Sequence, residues 1–170
     1  MKVILFDLGK TLENNGELIE GAKDALTSIK AMQDSNGNSP VLALISDFDK
    51  KTATSDYKAI DVKPLQIEYY QTLENLGISQ FFQPFYKLVT LSAEVCTRKP
   101  DKRFFRFAID TIKKDLPFEN VLFITEDHSH IAGARQLGIK AIHFKGPGQT
   151  TGEVNNLLDI IPHVQNFLDE

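Results

Sequence analysis

The chain has 170 residues, of which 42% are hydrophobic and 25% charged, and a formal net charge of −4. That length fits a single domain over 1–170 with a core that needs no covalent staples, and the balance excludes a disordered chain. The acidic balance offers no clustered Lys and Arg to displace counterions, so no nucleic-acid partner is expected. The single cysteine, Cys96, excludes an internal disulfide framework and a thiolate zinc site.

The first apolar run, Lys2–Phe6, predicts a buried strand that ends at Asp7. It is too short for a secretory segment, and no later run approaches the ~20 apolar residues of a membrane span. The expectation is a cytoplasmic protein with no membrane partner. Glu13–Glu17 reads as a loop. Ala22, Ala25, Leu26, Ile29 and Met32 recur at helical spacing. After the loop Asp34–Pro40, Val41–Ile45 predicts the second strand. Asp49–Pro64 is a polar stretch without a clear period. Ile67, Tyr70, Leu73 and Leu76 then form a second helical stripe, ended by Gly77. Lys87–Leu91 predicts the third strand, and Phe104, Phe105, Ala108, Ile109 and Ile112 the third helix. Val121–Ile124 is the fourth strand. Ile131, Ala134, Arg135 and Leu137 lie on a fourth helix stopped by Gly138. Lys140–Phe144 is the fifth strand, Lys145–Gly152 a loop, and Leu157–Leu168 a last helix, broken or begun at Pro162. The strands are continuous apolar runs, which suits a parallel sheet covered on both faces. Strands alternating with helices predict an α/β, doubly wound architecture of right-handed βαβ units. Its ligand site lies beyond the carboxyl ends of the strands.

Those ends carry the chemistry. Asp7-Leu8-Gly9-Lys10-Thr11 follows the first strand and Ser46-Asp47 the second. Arg98-Lys99-Pro100-Asp101 precedes the third helix, and Thr125-Glu126-Asp127-His128-Ser129-His130 follows the fourth strand. In this order the four segments resemble the motifs of the haloacid dehalogenase-like (HAD) superfamily of hydrolases. Its first motif is Asp-x-Asp-x-Thr/Val after a strand. The second is a strand-end Ser or Thr. The third is a Lys, often in Lys-Pro-Asp. The fourth is a strand-end acidic pair before a helix with Gly-Ala, here Gly133-Ala134. The resemblance implies a Rossmann-like five-stranded parallel sheet of order 3-2-1-4-5. It implies Asp7 as a nucleophile that forms an aspartyl-phosphate, a step that splits one hard displacement into two. Ser46, Lys99, Asp47 and Lys10 would bind the phosphoryl group, with Lys99 also steadying Asp7. Asp7, the Gly9 carbonyl and Glu126, with Asp127 as a further candidate, would hold Mg²⁺, a hard cation that prefers oxygen.

The sequence departs from the pattern at three places. Gly9 stands where most phosphatases of the family carry a second Asp as general acid and base, a group typically worth ~10²–10⁴-fold. Three readings follow: substrates with undemanding leaving groups, such as acyl or anomeric phosphates; proton donation by His128 or His130; or a slow or inactive protein. Lys10 replaces a usual Gly, either to attract phosphate or as a solvated turn residue. His130 aligns with a usual carboxylate. A transition-metal site through the histidines is the alternative use of that cluster, and surface residues the simpler one.

Asp101 is expected to cap the third helix, and His143 and His163 to be structural. Phe81, Phe82, Phe85, Tyr86, Phe104, Phe105 and Phe107 are expected to build the core, with a homodimer contact as the alternative. Neither the gap after Glu13 nor Asp49–Pro64 has room for a cap domain. That implies an open site suited to large phosphorylated substrates, with Lys50, Lys51 and Lys58 at its entrance. The leading function is a Mg²⁺-dependent phosphohydrolase acting on a phosphorylated small molecule or macromolecule. A catalytically impaired relative that binds a phosphorylated ligand or a protein partner is the second reading. A metal-independent dehalogenase is the third.

Overall fold

The computed structural model describes residues 1–49 and 62–170. Five parallel strands form its sheet: β1 (Val3–Phe6), β4 (Val41–Ser46), β5 (Val89–Leu91), β6 (Val121–Thr125) and β7 (Lys140–His143). Their spatial order is β5-β4-β1-β6-β7, all parallel, which is the expected 3-2-1-4-5 when only these strands are counted. The registers Phe6↔Leu44 and Phe6↔Ile124 bring β1, β4 and β6 to one edge together.

Alternate side chains of the buried strands feed two cores. Ile4, Phe6, Leu42, Leu44, Leu122 and Ile124 face α1 (Ala22–Ala31), α2 (Val62–Asn75) and α7 (Ile160–Asp169). Val3, Leu5, Ala43, Ile45, Val121 and Phe123 face α5 (Lys102–Ile112) and α6 (His128–Gln136). Both faces are therefore dry, which is why these strands read as unbroken apolar runs. On the second face Phe105 meets Phe123 edge-on at 5.3 Å, a geometry aromatic rings prefer.

Several expectations are corrected. Glu13–Glu17 is not a loop but most of a hairpin, β2 (Glu13–Asn14) and β3 (Glu17–Leu18). Its two turn residues, Asn15 and Gly16, both have positive φ, 54° and 85°, which is the Asn-Gly hairpin turn. Residues 85–88 form a helical turn, α3 (Phe85–Leu88), so the strand β5 starts at Val89 and not Lys87. In α2 the buried stripe is Leu65, Tyr69 and Leu73, while Ile67 is exposed and Tyr70 only half-buried. Tyr86 and Phe107 are exposed and not core. Val62–Pro64, expected to close the polar stretch, belong instead to α2; Lys50, Lys51 and Lys58 lie outside the described residues. The short helix α4 (Ser92–Val95) follows β5. Pro162 sits in the first turn of α7, where a missing N–H costs nothing. Among the described residues no helix is long and apolar enough to cross a membrane.

Candidate active site

Asp7 is the first residue past β1. Its N–H donates to Ile124 C=O at 3.0 Å, so the β1–β6 ladder runs up to the carboxylate itself. Oδ1 accepts from Leu8 N–H at 2.9 Å. Oδ2 accepts from Lys99 Nζ at 2.7 Å. Asp7 and Lys99 are 8% and 6% exposed, so each charge depends on the other. Burial pushes the Asp7 carboxyl up, but the Lys99 ammonium and the His130 ring outweigh it and hold it below the ordinary carboxylate range. Asp7 is therefore an anion at neutral pH.

Lys99 is fixed at three points. Its ammonium donates also to Ile45 C=O at 3.1 Å, and its backbone N–H donates to Asp47 Oδ1 at 2.9 Å. Its neighbour Pro100 packs against α6, where a Cβ on Gly133 would come within 2.2 Å of the Pro100 Cβ. Ser46 ends β4, buried, with its Oγ 2.5 Å from the Tyr69 hydroxyl. Burial and the negative charges of Asp7 and Glu13 push the Tyr69 phenol up, against the opposing hydrogen bond to Ser46.

Glu126 follows β6. Its Oε2 accepts from Thr11 Oγ1 at 2.9 Å and lies 3.2 Å from Thr125 Oγ1. Thr125 Oγ1 is also 3.3 Å from Asp7 Oδ2, so one hydroxyl stands between the two carboxylates. The Glu126 carbonyl accepts from Gln149 Nε2 at 2.8 Å and lies 3.0 Å from His143 Nε2, which gives His143 its structural role. Gly146 closes behind the side chain: a Cβ there would approach Glu126 Cβ to 2.7 Å and Lys10 C=O to 2.9 Å. Lys10 itself has φ 56°, the left-handed conformation that explains why glycine suits that position.

Asp7, Ser46, Lys99 and Glu126 line a cavity of about 400 Å³ together with Gly9, Lys10, Asp47 and His130. His130 Nδ1 is 3.8 Å from Asp7 Oδ2, and its Nε2 is 3.5 Å from Asp47 Oδ2 and 3.9 Å from Asp127 Oδ2. Among the described residues the buried Nδ1 has no hydrogen-bond partner. Asp127 and His128 stand outside the lining. Asp127 Oδ1 caps α6, accepting from Ser129 N–H at 2.8 Å and His130 N–H at 3.1 Å. His128 is exposed, its ring 5.6 Å from that of His143. Glu13, Phe48, Tyr69 and Thr72 also line the cavity and were not singled out by motif. The Asn-Gly turn after Glu13 is the signal that would have turned the hairpin, and Glu13 with it, back toward Gly9.

Two carboxylates and the adjoining Gly9 backbone make an all-oxygen donor set that fits Mg²⁺. Among the described residues no group of three or more His, Cys, Asp or Glu side chains could hold a metal by itself. Backbone oxygen and water would have to complete the shell, as Mg²⁺ prefers.

No protein-family model matches the chain. Among solved structures it is similar to a haloacid dehalogenase-like family hydrolase from Streptococcus pneumoniae. That match has 14% identity and a TM-score of 0.62, over 97% of this chain and 99% of that one. It is also similar to the HAD protein YfnB of Bacillus subtilis, solved with magnesium, at 17% identity and TM-score 0.61, over 88% and 57% of the two chains. A HAD family hydrolase from Deinococcus radiodurans, with bound phosphate and sodium, matches at 15% identity and TM-score 0.52, over 87% and 52%. Among curated proteins, the drimenol cyclase drtB of Aspergillus calidoustus is 30% identical over 66 residues, 39% of this chain. The match spans 12% of that much longer protein. In its five-stranded parallel sheet, its strand order and the helices on both faces, this chain has the haloacid dehalogenase-like fold.

Proposed function

We propose that the protein is a Mg²⁺-dependent phosphohydrolase working through an aspartyl-phosphate on Asp7. The observation that carries this reading is the buried Asp7–Lys99 pair at 2.7 Å, beside Ser46 and Glu126 in one cavity. The neighbours' hydrolase names support it only as analogy of fold. An anionic carboxylate at a strand end, with a lysine fixed beside it, is equipped to meet a phosphoryl group in line.

In this reading Asp7 attacks phosphorus as the bond to the leaving oxygen breaks. Ser46 donates to a phosphoryl oxygen and Lys99 balances the charge. Water then attacks the acyl-phosphate, releasing inorganic phosphate and restoring Asp7. Asp7, the Gly9 carbonyl and Glu126 would hold Mg²⁺, which would supply charge neutralisation between the two anions. Gly9 offers no proton to the leaving group, so acyl and anomeric phosphates are the favoured class. The substrate is a phosphorylated small molecule or macromolecule, and the location cytoplasmic.

Phosphate release from acetyl phosphate and p-nitrophenyl phosphate, with Mg²⁺ or EDTA, tests this reading. Release is expected to need the metal and to fall roughly 10³-fold or more in Asp7→Asn. Folded protein with no Asp7-dependent release would favour the second reading, a phosphoryl-ligand or protein-binding relative. That reading draws on the missing side chain at Gly9 and the imidazole at His130. Halide release without metal would instead indicate carbon–halogen cleavage.

A further inference from the structure

We infer that Tyr69 is a positioning residue that fixes the Ser46 hydroxyl as a donor to phosphate, through a relay from Tyr69 to Ser46 to a phosphoryl oxygen. The inference rests on the phosphoryl site proposed above and extends it to a residue that belongs to none of the four motifs.

The two hydroxyls are 2.5 Å apart, a short bond for an O–H···O pair. A serine hydroxyl carries one proton. If Ser46 donated that proton to Tyr69, it would have none left for phosphate. If Tyr69 donates, Ser46 is left as the donor that faces the cavity. A phenol is the more acidic hydroxyl and the better donor, so the second arrangement is the favoured one. A bound phosphate anion would polarise both bonds in the same direction, each strengthening the other.

The geometry holds the phenol still. Tyr69 is 2% exposed, in the middle of α2, and Phe48 meets its ring edge-on at 5.2 Å. Ser46 is 5% exposed at the end of β4, and the carbonyl just before it is engaged by Lys99 Nζ. Both residues line the same cavity as Asp7 and Lys99. The surroundings also keep Tyr69 protonated, because burial and the nearby carboxylates push its phenol upward from the ordinary value. It therefore remains a donor across any working pH.

A double-mutant cycle tests the relay. Wild type, Tyr69→Phe, Ser46→Ala and the double variant are compared for inorganic phosphate affinity by calorimetry with Mg²⁺ present. The kcat and KM for p-nitrophenyl phosphate and the melting temperature are measured alongside. Tyr69→Phe should weaken phosphate roughly 3- to 10-fold when Ser46 is present and have no effect when Ser46 is Ala. A purely structural tyrosine would lower the melting temperature and cost the same in both backgrounds, which would overturn the relay. So would a Tyr69→Phe variant that binds phosphate as wild type does. Absence of Asp7-dependent turnover would sink the phosphohydrolase reading alone, since the affinity cycle still decides the role of Tyr69. Failure of the wild type to bind phosphate at all would overturn this inference.

Discussion

Gly9 puts no side chain into the cavity, yet there is space for one. A Cβ there would meet Glu13 Oε1 at 3.7 Å, an ordinary contact, and the backbone is not in the left-handed region. Gly9→Asp should therefore fold and place a carboxyl beside the leaving group. Turnover of alkyl phosphates is expected to rise about 10²-fold, within the usual range for a general acid. Acetyl phosphate, whose leaving group needs no proton, should change little. Comparing initial rates on the two substrates checks both statements. At this scale the sequence was most legible where a residue's chemistry is unusual for its position. Asp7, Ser46 and Glu126 are polar groups at the ends of apolar runs, Lys99 stands in a Lys-Pro-Asp run before a helix, and the cavity gathers all four. Tyr69 was hidden for the opposite reason. A buried tyrosine on a helix looks like any other core residue until its hydroxyl is seen to meet Ser46.

Among the elements, α5 shows how a short polar segment can fix a helix. Asp101 Oδ1 accepts from Arg103 N–H at 2.8 Å, the expected cap, and Oδ2 takes Arg103 Nη2 at 2.7 Å. These bonds to Arg103 hold its carboxyl well below the ordinary value. The folded state therefore prefers the charged form. The stability it gives is present above the unfolded value of ~3.9 and is lost as pH falls toward the folded one. Asp101→Asn, which keeps a capping oxygen but no charge, should melt below wild type at pH 7. The gap should begin to close only below about pH 4, as followed by thermal melts in a pH series. The elements also show where periodicity misleads. In α2 the stripe with Ile67 and Tyr70 fits a helix, but the core takes Leu65, Tyr69 and Leu73. Which face turns inward depends on where α2 crosses the sheet, and that is tertiary information. The hairpin after Leu12 and the helical turn before β5 are decided by similarly short signals, an Asn-Gly pair and a Pro84 helix entry.

For the whole molecule, the strand order makes the site. β1 lies between β4 and β6, so the segments carrying Asp7, Ser46 and Glu126 meet although they are far apart in the chain. The doubly wound parallel sheet was legible in the continuous apolar strands and intervening helices, while the order of its strands came only from what the family resemblance implied. Lys99 joins them from outside the sheet, and its seat depends on Gly133 in α6. Gly133→Ala would drive a methyl into Pro100. A destabilisation of about 1–3 kcal/mol is expected, as for other overpacked contacts. Activity should fall with it although no cavity residue has changed, and urea unfolding with parallel assays would read both.

The bond from Asp7 N–H to Ile124 C=O has a consequence for motion. Local fluctuations are usually cheapest at segment ends and loops, and dearest in central strands. Here the Asp7 carboxylate hangs from a central strand, so its anchor point is expected to move only when the sheet itself breathes. In the proposed reaction Asp7 would then be the fixed reference against which an arriving phosphoryl group is aligned.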